Sequence, residues 1–585
     1  MSGDYFLLPF ETRSFDKTSY FRLGCWLFAS AIVYYLIKLR KSIYSIIIPK
    51  RSPPFEGLPS CSDQVPPHWL FGHFKYLLGK EFLSCNKQIM VDSAGADNGI
   101  CSFWLLHIPV VSFLHGVDAQ QVLKSSVTRK ASLALKHVER FIGMDSILMI
   151  EGGAKWKVSR DVVHKAFTIK AVEELQPCMA HLASVLTSSI GRTIDQETTD
   201  TRHPREVDNV NGYLGLSPDG KGIILDYLCV FKMFTIDTFG LCALGQDFKC
   251  SKTLTKSRYA TAFETLQDDF QMRLIEGFFN PLLNYYWLPT AQNRKQKEAS
   301  QMLRGFLLET IQKRRAPENN GNTGGMDVPA KILLDHLAEA YDSDKLTDKN
   351  LLDSLVTLLL AGYETTSITL PYACYLLAKN PKVEELCVQE VRAVLGPSGS
   401  PIPKGINPLT DLPYCRAVVN ETLRLYPSAV GVFRNLEKPM ELKQEAVTLP
   451  AGTRVQLSIW FIQRDPRNFP YPEEFAPERW VTRNDEGEWV ERFESKNKVV
   501  KESEMEGEEK RIPPANRDAF IAFSAGARSC VGRRLAMQEA IIGFAACVRD
   551  LQFELVDGYE PEPVRKGALQ VPKNGMPLIT KRRKN

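Results

Sequence analysis

The sequence predicts a mainly α-helical body with small β-sheets, preceded by a single N-terminal membrane anchor. Three observations carry this. Helical periodicity dominates from about residue 60 onward. Strand-like runs are short: Ile100 to Leu106, Val110 to Leu114, Val447 to Leu449, Arg454 to Ser458, Gln552 to Val556 and Leu569 to Leu578. One uncharged apolar run, Leu23 to Ile37, lies near the start of the chain.

Taken in order, the anchor comes first. Its 15 residues fall short of the roughly 20 of a spanning helix, and Tyr20 and Phe21 lengthen it, with Arg22 free to snorkel. Lys38, Arg40 and Lys41 follow where a signal peptide would carry a small-residue cleavage site. Basic residues on that side keep the following chain in the cytosol. A buried or interfacial helix is the alternative for so short a run. Ile43 to Ile48 reads as an interfacial stretch. Pro49, Pro53, Pro54, Pro59 and Gly57 make a stiff hinge. The expected layout is residues 1–48 with the anchor at about 20–37, a proline hinge at 49–59, and a body at 60–585.

Composition narrows the body. The 585 residues are 44% hydrophobic and 24% charged, which excludes disorder as the main state. A mean hydropathy of −0.19 excludes a chain of many spans. The net charge of +5 is spread along the chain and does not indicate nucleic acid. It suits an anionic membrane surface or an acidic protein partner. Thirteen cysteines with no C-x-x-C pair fit neither a disulfide framework nor a zinc site. Three polar stretches read as loops or insertions: Gly191 to Lys221, Arg315 to Asp327 and Arg483 to Asp518. Two helices are predicted: Leu351 to Leu377, capped by Thr347 or Asp348 and kinked or shortened at Pro371, and Leu412 to Tyr426, stopped by Pro427.

One cysteine has a special setting. Cys530 follows Phe523, Gly526 and Arg528 and precedes Gly532, and a helical run, Arg533 to Val548, starts at once. Glycines let the backbone turn tightly and bring amide N–H groups near the sulfur. The helix start turns positive dipole toward it. Both favour thiolate over thiol. Arg528 is placed to pair with a cofactor carboxylate. A loop wrapping one thiolate suits an axial metal ligand on a large planar cofactor, whereas a lone cysteine is ordinarily a small buried hydrophobe.

This loop resembles the haem-binding loop of cytochromes P450, F-x-x-G-x-R-x-C-x-G, at every specified position. The resemblance extends over roughly residues 60 to 580 and implies the cytochrome P450 fold. Glu421, Thr422, Leu423 and Arg424 match the family's E-x-x-R; with Arg479 in the Phe475 to Trp480 stretch they imply a structural Glu–Arg–Arg network. Ala361, Gly362, Tyr363, Glu364, Thr365 and Thr366 match the motif of the long distal helix. There Gly362 lets dioxygen and water approach, Thr365 hydrogen-bonds the activated oxygen, and Glu364 relays protons. Back-bonding of the threonine to the preceding turn is the plain structural alternative. Trp156 and Arg160 match W-x-x-x-R and, with Arg434 and Arg528, are the implied haem-propionate partners, with Lys136 and His137 as weaker candidates. Gln463 departs from the histidine common at its place.

The resemblance implies haem b (iron protoporphyrin IX) on the Cys530 thiolate, and a monooxygenase that inserts one atom of O2 into a lipophilic substrate such as a fatty acid, sterol or terpenoid. No Gly-rich nucleotide fingerprint is present, so a separate NADPH-dependent flavoprotein reductase is implied, in the endoplasmic reticulum membrane with the single-pass body facing the cytosol. Arg533 and Arg534 read equally as its docking charges or as ordinary surface arginines. Substrate-facing segments are expected at Ala131 to Ile150 (Phe141, Ile142, Met144, Ile147, Leu148), Leu358 to Thr366, Ser428 to Phe433 (Val430, Val432, Phe433) and Leu569 to Met576. Competing readings are a relative that rearranges or dehydrates peroxides, which often lacks the acid and threonine, and a non-enzymatic haem-thiolate sensor. A cysteine hydrolase needs a partnered histidine, and none lies beyond His336.

Overall fold

The computed structural model describes residues 99–105, 108–126, 128–130, 146–150, 152–199, 211–275, 286–315, 332–343, 348–484, 486–492 and 512–584, with Leu58, Ser60 and Gly143. The anchor, the hinge apart from Leu58, the polar stretch after Arg315, Lys136, His137, Phe141, Ile142 and Met144 lie outside the described residues.

Strands β1 (Ile100–Leu105) and β2 (Ile108–Phe113) form a hairpin, followed by α1 (Gly116–Lys124) and β3 (Thr128–Lys130). Helices α2 (Gly153–Ala166) and α3 (Ile169–Thr199) lead to β4 (Tyr213–Leu216) and β5 (Ile223–Asp226). Next come α4 (Tyr227–Phe239), α5 (Arg258–Ile275), α6 (Ala291–Arg315), α7 (Leu333–Asp342), α8 (Asp348–Lys379), α9 (Pro381–Leu395) and α10 (Pro413–Leu425). Strands β6 (Val432–Leu436), β7 (Met440–Glu441), β8 (Thr448–Leu449), β9 (Arg454–Leu457), β10 (Val481–Arg483) and β11 (Trp489–Glu491) precede α11 (Arg533–Asp550). Strands β12 (Leu551–Leu555), β13 (Pro563–Lys566), β14 (Leu569–Pro572) and β15 (Pro577–Arg582) close the chain.

The largest sheet has the order β1-β2-β9-β6-β3, with β2 and β9 parallel and the other pairs antiparallel. A second sheet, β12-β15-β5-β4, joins the C-terminal strands to a hairpin some 350 residues earlier, pairing Ile579 with Ile224. Such long crossovers commit the two ends of the body to one core. Helix α8 is its axis: Leu355, Ile368, Leu370, Tyr372, Ala373, Cys374 and Leu377 have no exposed surface. It packs on α4, α10 and α11. Burial on every side follows from its apolar composition. Among the described residues one helical stretch, Tyr227–Leu244, is long and apolar enough to cross a membrane. It is 83% buried within the body, so it is a core helix.

Several sequence expectations change. Helix α8 starts at Asp348 and runs through Pro371 to Lys379 without shortening. Packing on all sides outweighs the roughly 3 kcal/mol of an interior proline. The stretch after Gly191 is not a loop at first: α3 continues to Thr199 with Ile190 and Ile194 buried. Gly191 opens the stretch read as a loop, yet a Cβ there would lie 2.7 Å from the Arg582 guanidinium. The glycine admits β15 against the helix, and Arg582 donates to Asp195 one turn on. Within Arg483 to Asp518, β10 and β11 form a short hairpin, with Arg483 over the Trp489 ring at 4.4 Å. Leu569 to Leu578 is two strands, split by a turn at Gly575 with φ +72°. Helix α10 ends as expected, since Tyr426 before Pro427 leaves the helical region at φ −128°, ψ 66°.

Candidate active site

The cysteine loop is held from both sides. The Cys530 N–H donates to Phe523 O at 2.9 Å, closing the turn. Ser524 and Gly526 take φ of +57° and +68°. A Cβ on Gly526 would sit 2.1 Å from Leu123 O at the end of α1. Gly526 is therefore required by close approach as well as by its left-handed backbone. Gly532 is the residue before α11, and its N–H is aimed at the Cys530 sulfur. Arg533 lies over the Phe523 ring at 5.5 Å.

Cys530 presents open surface, although protein surrounds it closely enough to desolvate the thiol. Both facts hold for a side chain that faces an enclosed cleft rather than bulk solvent. Burial pushes the thiol up, and the Gly532 N–H with the Arg160 and Arg533 charges pulls it partly back. Burial wins. The loop N–H pulls toward thiolate as the sequence suggests, but burial outweighs it in the metal-free chain; a bound metal deprotonates such a thiol outright.

Three guanidiniums gather near the same cleft. Arg528 stacks on the Trp156 ring at 3.8 Å and donates to Ile150 O at 3.0 Å. Burial, with the charges of Arg434 and Arg160, lowers it to about 10. Arg434 is 4% exposed, and burial lowers it to about 10 as well. Its side chain reaches only Phe433 O, at 3.0 Å, and no carboxylate faces it among the described residues. Burial lowers Arg160, against the pull of the nearby cysteine. A buried cation such as Arg434, facing no carboxylate among the described residues, is costly unless an anionic ligand completes it. A planar cofactor with two carboxylates and a metal for one thiolate answers both demands, so these residues fit a haem.

Over the cleft, α8 shows open surface at Ala361, Gly362 and Thr365 in a helix otherwise buried around them. Those positions share one face. Thr365 Oγ1 donates to Ala361 O at 2.8 Å, which is the back-bonding alternative realised. Its oxygen still accepts. A Cβ on Gly362 would meet Phe239 of α4 at 3.4 Å, an ordinary contact, so packing against α4 does not by itself demand glycine there. Glu364 turns about 100° per residue away from Thr365 and is 1% exposed. It accepts from Gln267 Nε2 of α5. Burial pushes its carboxyl up, while Lys232, Lys566 and the Gln267 bond oppose that.

The predicted structural trio is brought together completely. Glu421 accepts from Arg424 Nε at 2.9 Å and Nη2 at 2.9 Å, from Arg479 Nε at 3.2 Å, from Trp480 Nε1 at 3.0 Å and from Ala476 N at 3.1 Å. All three charged side chains are wholly buried. Full burial sets this network apart from a surface ion pair, which carries little energetic weight. Arg424 also donates to Gln463 O, Pro472 O and Glu474 O at 3.1, 2.6 and 2.9 Å, pinning the segment after β9 to α10.

Sequence reasoning missed several participants. Gln463, which departs from the histidine common at its place, is one. It donates to Leu423 O and Arg424 O at 2.9 and 3.1 Å and accepts from Ile521 N at 3.0 Å, tying α10 to the start of the cysteine loop. Ser428 Oγ donates to Thr365 O at 2.8 Å, fixing the expected substrate-facing loop to α8. Glu539 of α11 is buried and bonded to Thr366 and Thr238; burial pushes its carboxyl up to about 8. It borders a cavity of about 30 Å³ that Gly362 and Phe239 also line. Its position nine residues after Cys530 was the available signal. Of the expected apolar lining, Ile147, Leu148, Val432 and Phe433 are partly open, whereas Val430, Leu569 and Met576 are buried in the core.

Comparison with known proteins places this geometry. A sequence model of the cytochrome P450 family matches residues 64–579. Cytochrome P450 4V2 of Mus musculus is 24% identical over 574 residues, covering 96% of this chain and 97% of that protein. Cytochrome P450 4Z1 of Homo sapiens is 24% identical over 526 residues, covering 88% and 90%. Cytochrome P450 monooxygenase sphH of Aspergillus fumigatus is 27% identical over 577 residues, covering 95% of each.

Proposed function

The chain belongs to the cytochrome P450 family and is a haem-thiolate monooxygenase, and on that premise we propose how its own residues serve the reaction. Cys530 is the thiolate ligand. Arg160, Arg434 and Arg528 take the two carboxylates of haem b, with Trp156 backing Arg528. The observation that carries this is the gathering of one buried and two half-buried guanidiniums, Arg434, Arg160 and Arg528, near one cysteine.

When bound, the haem supplies heterolytic cleavage of dioxygen and insertion of one oxygen atom into a C–H bond. The chain's part is orientation and protons. The Gly532 N–H and the charge of Arg533 steady the sulfur. Thr365 presents its hydroxyl oxygen at the cleft face, and Glu364 passes protons toward it from the far side of α8. The trio of Glu421, Arg424 and Arg479 holds the scaffold and has no part in the chemistry.

The substrate is lipophilic, of the fatty acid, sterol or terpenoid kind, supported by the open apolar side chains of Ile147, Leu148, Val432 and Phe433. Electrons come from a separate NADPH-dependent flavoprotein reductase. Residues 1–48 anchor the protein in the endoplasmic reticulum membrane, 49–59 form the hinge, and the catalytic body from residue 60 faces the cytosol. Reductase-supported NADPH oxidation, with consumed dioxygen partitioned between peroxide and water, is the test. Thr365→Ala should shift the partition toward peroxide. Turnover of a lipid peroxide at full rate without reductase or dioxygen would instead establish a rearranging enzyme.

A further inference from the structure

A buried charged network lies behind α8, on the side away from the cleft. Lys232 of α4 pairs with Glu264 of α5 at 3.5 Å, and Lys256 pairs with the same carboxylate at 2.7 Å. Tyr363 of α8 donates to Glu264 at 3.1 Å. One residue along α8, Glu364 accepts from Gln267, one turn beyond Glu264 on α5. The side chains of Lys232, Glu264 and Lys256 are 15%, 19% and 24% exposed, so the network reaches solvent at Lys256. The side-chain oxygen of Gln267 is buried with no hydrogen-bond partner, which is costly in a core unless the group is used.

We propose that Gln267 and Lys232 are positioning residues for proton delivery: Gln267 aims the Glu364 carboxyl in both of its protonation states, and Lys232, shared with Glu264, supplies the cationic field at it. The orphaned oxygen explains the first half. An ionised Glu364 takes the Gln267 N–H; a protonated one needs an acceptor for its O–H, and the turned amide offers its unused oxygen. The second half follows from the groups that face Glu364. From α4 there is Lys232, from α5 Gln267 and Asp268, and from β13 Lys566, itself paired with Asp268 at the surface. Burial alone would depress Lys232, but the Glu264 and Glu364 charges hold it up, so it stays a cation at neutral pH. Glu264 and Lys256 then form the solvent end through which the spent acid is reprotonated. Tyr363 braces Glu264 for that task.

This inference rests on the reading of Glu364 as proton relay, and the test separates the two. The full-length haem-loaded protein is titrated by infrared difference spectroscopy, with the carboxylic acid band of Glu364 assigned by its loss in Glu364→Gln. Gln267→Met and Lys232→Gln each remove an interaction that favours the carboxylate, from different elements. Each should raise the titration midpoint by about one unit, a tenfold change in the acid-to-carboxylate ratio. Lys232→Arg should restore it. Unchanged midpoints in either folded variant would overturn the proposal. If the midpoints shift as expected but Glu364→Gln leaves the peroxide-to-water partition untouched, the relay reading fails instead.

Discussion

Replacing Glu421 by Gln removes one charge and leaves the side chain nearly the same size. The carboxylate serves five donors, four of them side-chain N–H groups of Arg424, Arg479 and Trp480, and no water reaches it. After the change, two guanidiniums are buried without an anion, and one of the new amide hydrogens must point at a donor. Removing one partner of a buried pair costs about 3–5 kcal/mol. Two cations share this partner, so the upper half of that range applies. Arg479 already has one buried N–H without an acceptor and has little to fall back on. Against a total of about 5–15 kcal/mol for a native protein, the loss is a large fraction. Urea unfolding followed by circular dichroism reads it as the midpoint, which ranks variants even where unfolding is not two-state. A matched control is Glu309→Gln, which breaks the Lys313 pair on α6 with both side chains more than half exposed. The control should leave the midpoint in place. Equal midpoints for Glu421→Gln and wild type would refute the reasoning that burial converts this pair from ornament to support.

Other consequences are as direct. Glu539 holds its proton to about pH 8 in the folded chain, against an ordinary value of 4.5. The folded state therefore binds a proton that the unfolded state has released, and stability falls as pH rises from about 4.5 through 8, by about 5 kcal/mol in all. Glu539→Gln should gain on wild type steadily across that window in melting temperature; parallel curves would contradict this. Arg434→Met removes a buried cation with no acid, so it should stabilise the haem-depleted protein. The same change should speed haem transfer to apomyoglobin by roughly ten- to a hundred-fold, for loss of a charged hydrogen bond of about 1.5–3 kcal/mol. An unchanged transfer rate would remove Arg434 from the cofactor site.

The parts legible in the sequence share a property: their chemistry is written in contiguous residues. The cysteine loop, the acid and threonine on α8, and the pair three residues apart on α10 each fit within about ten contiguous residues. The strands around residues 100–113 and 454–457 were legible for the same reason, as short apolar runs. What the sequence hid depends on contacts across hundreds of residues. Gln463 matters because Ile521 and α10 meet at its amide. Gln267 and Lys232 matter because α4 and α5 pack behind α8. Gly191 was misread because a glycine that opens a loop and one that admits a neighbouring strand look alike in one dimension.

The claim on which the rest depends is that the Cys530 sulfur binds the haem iron. Absorbance of the reduced, carbon-monoxide-treated protein measures it directly. Wild type should give the red-shifted band of a thiolate-ligated haem, and Cys530→Ser should lose it while keeping its secondary structure. A nitrogen-type spectrum in wild type, or the same thiolate spectrum in Cys530→Ser, would contradict the account.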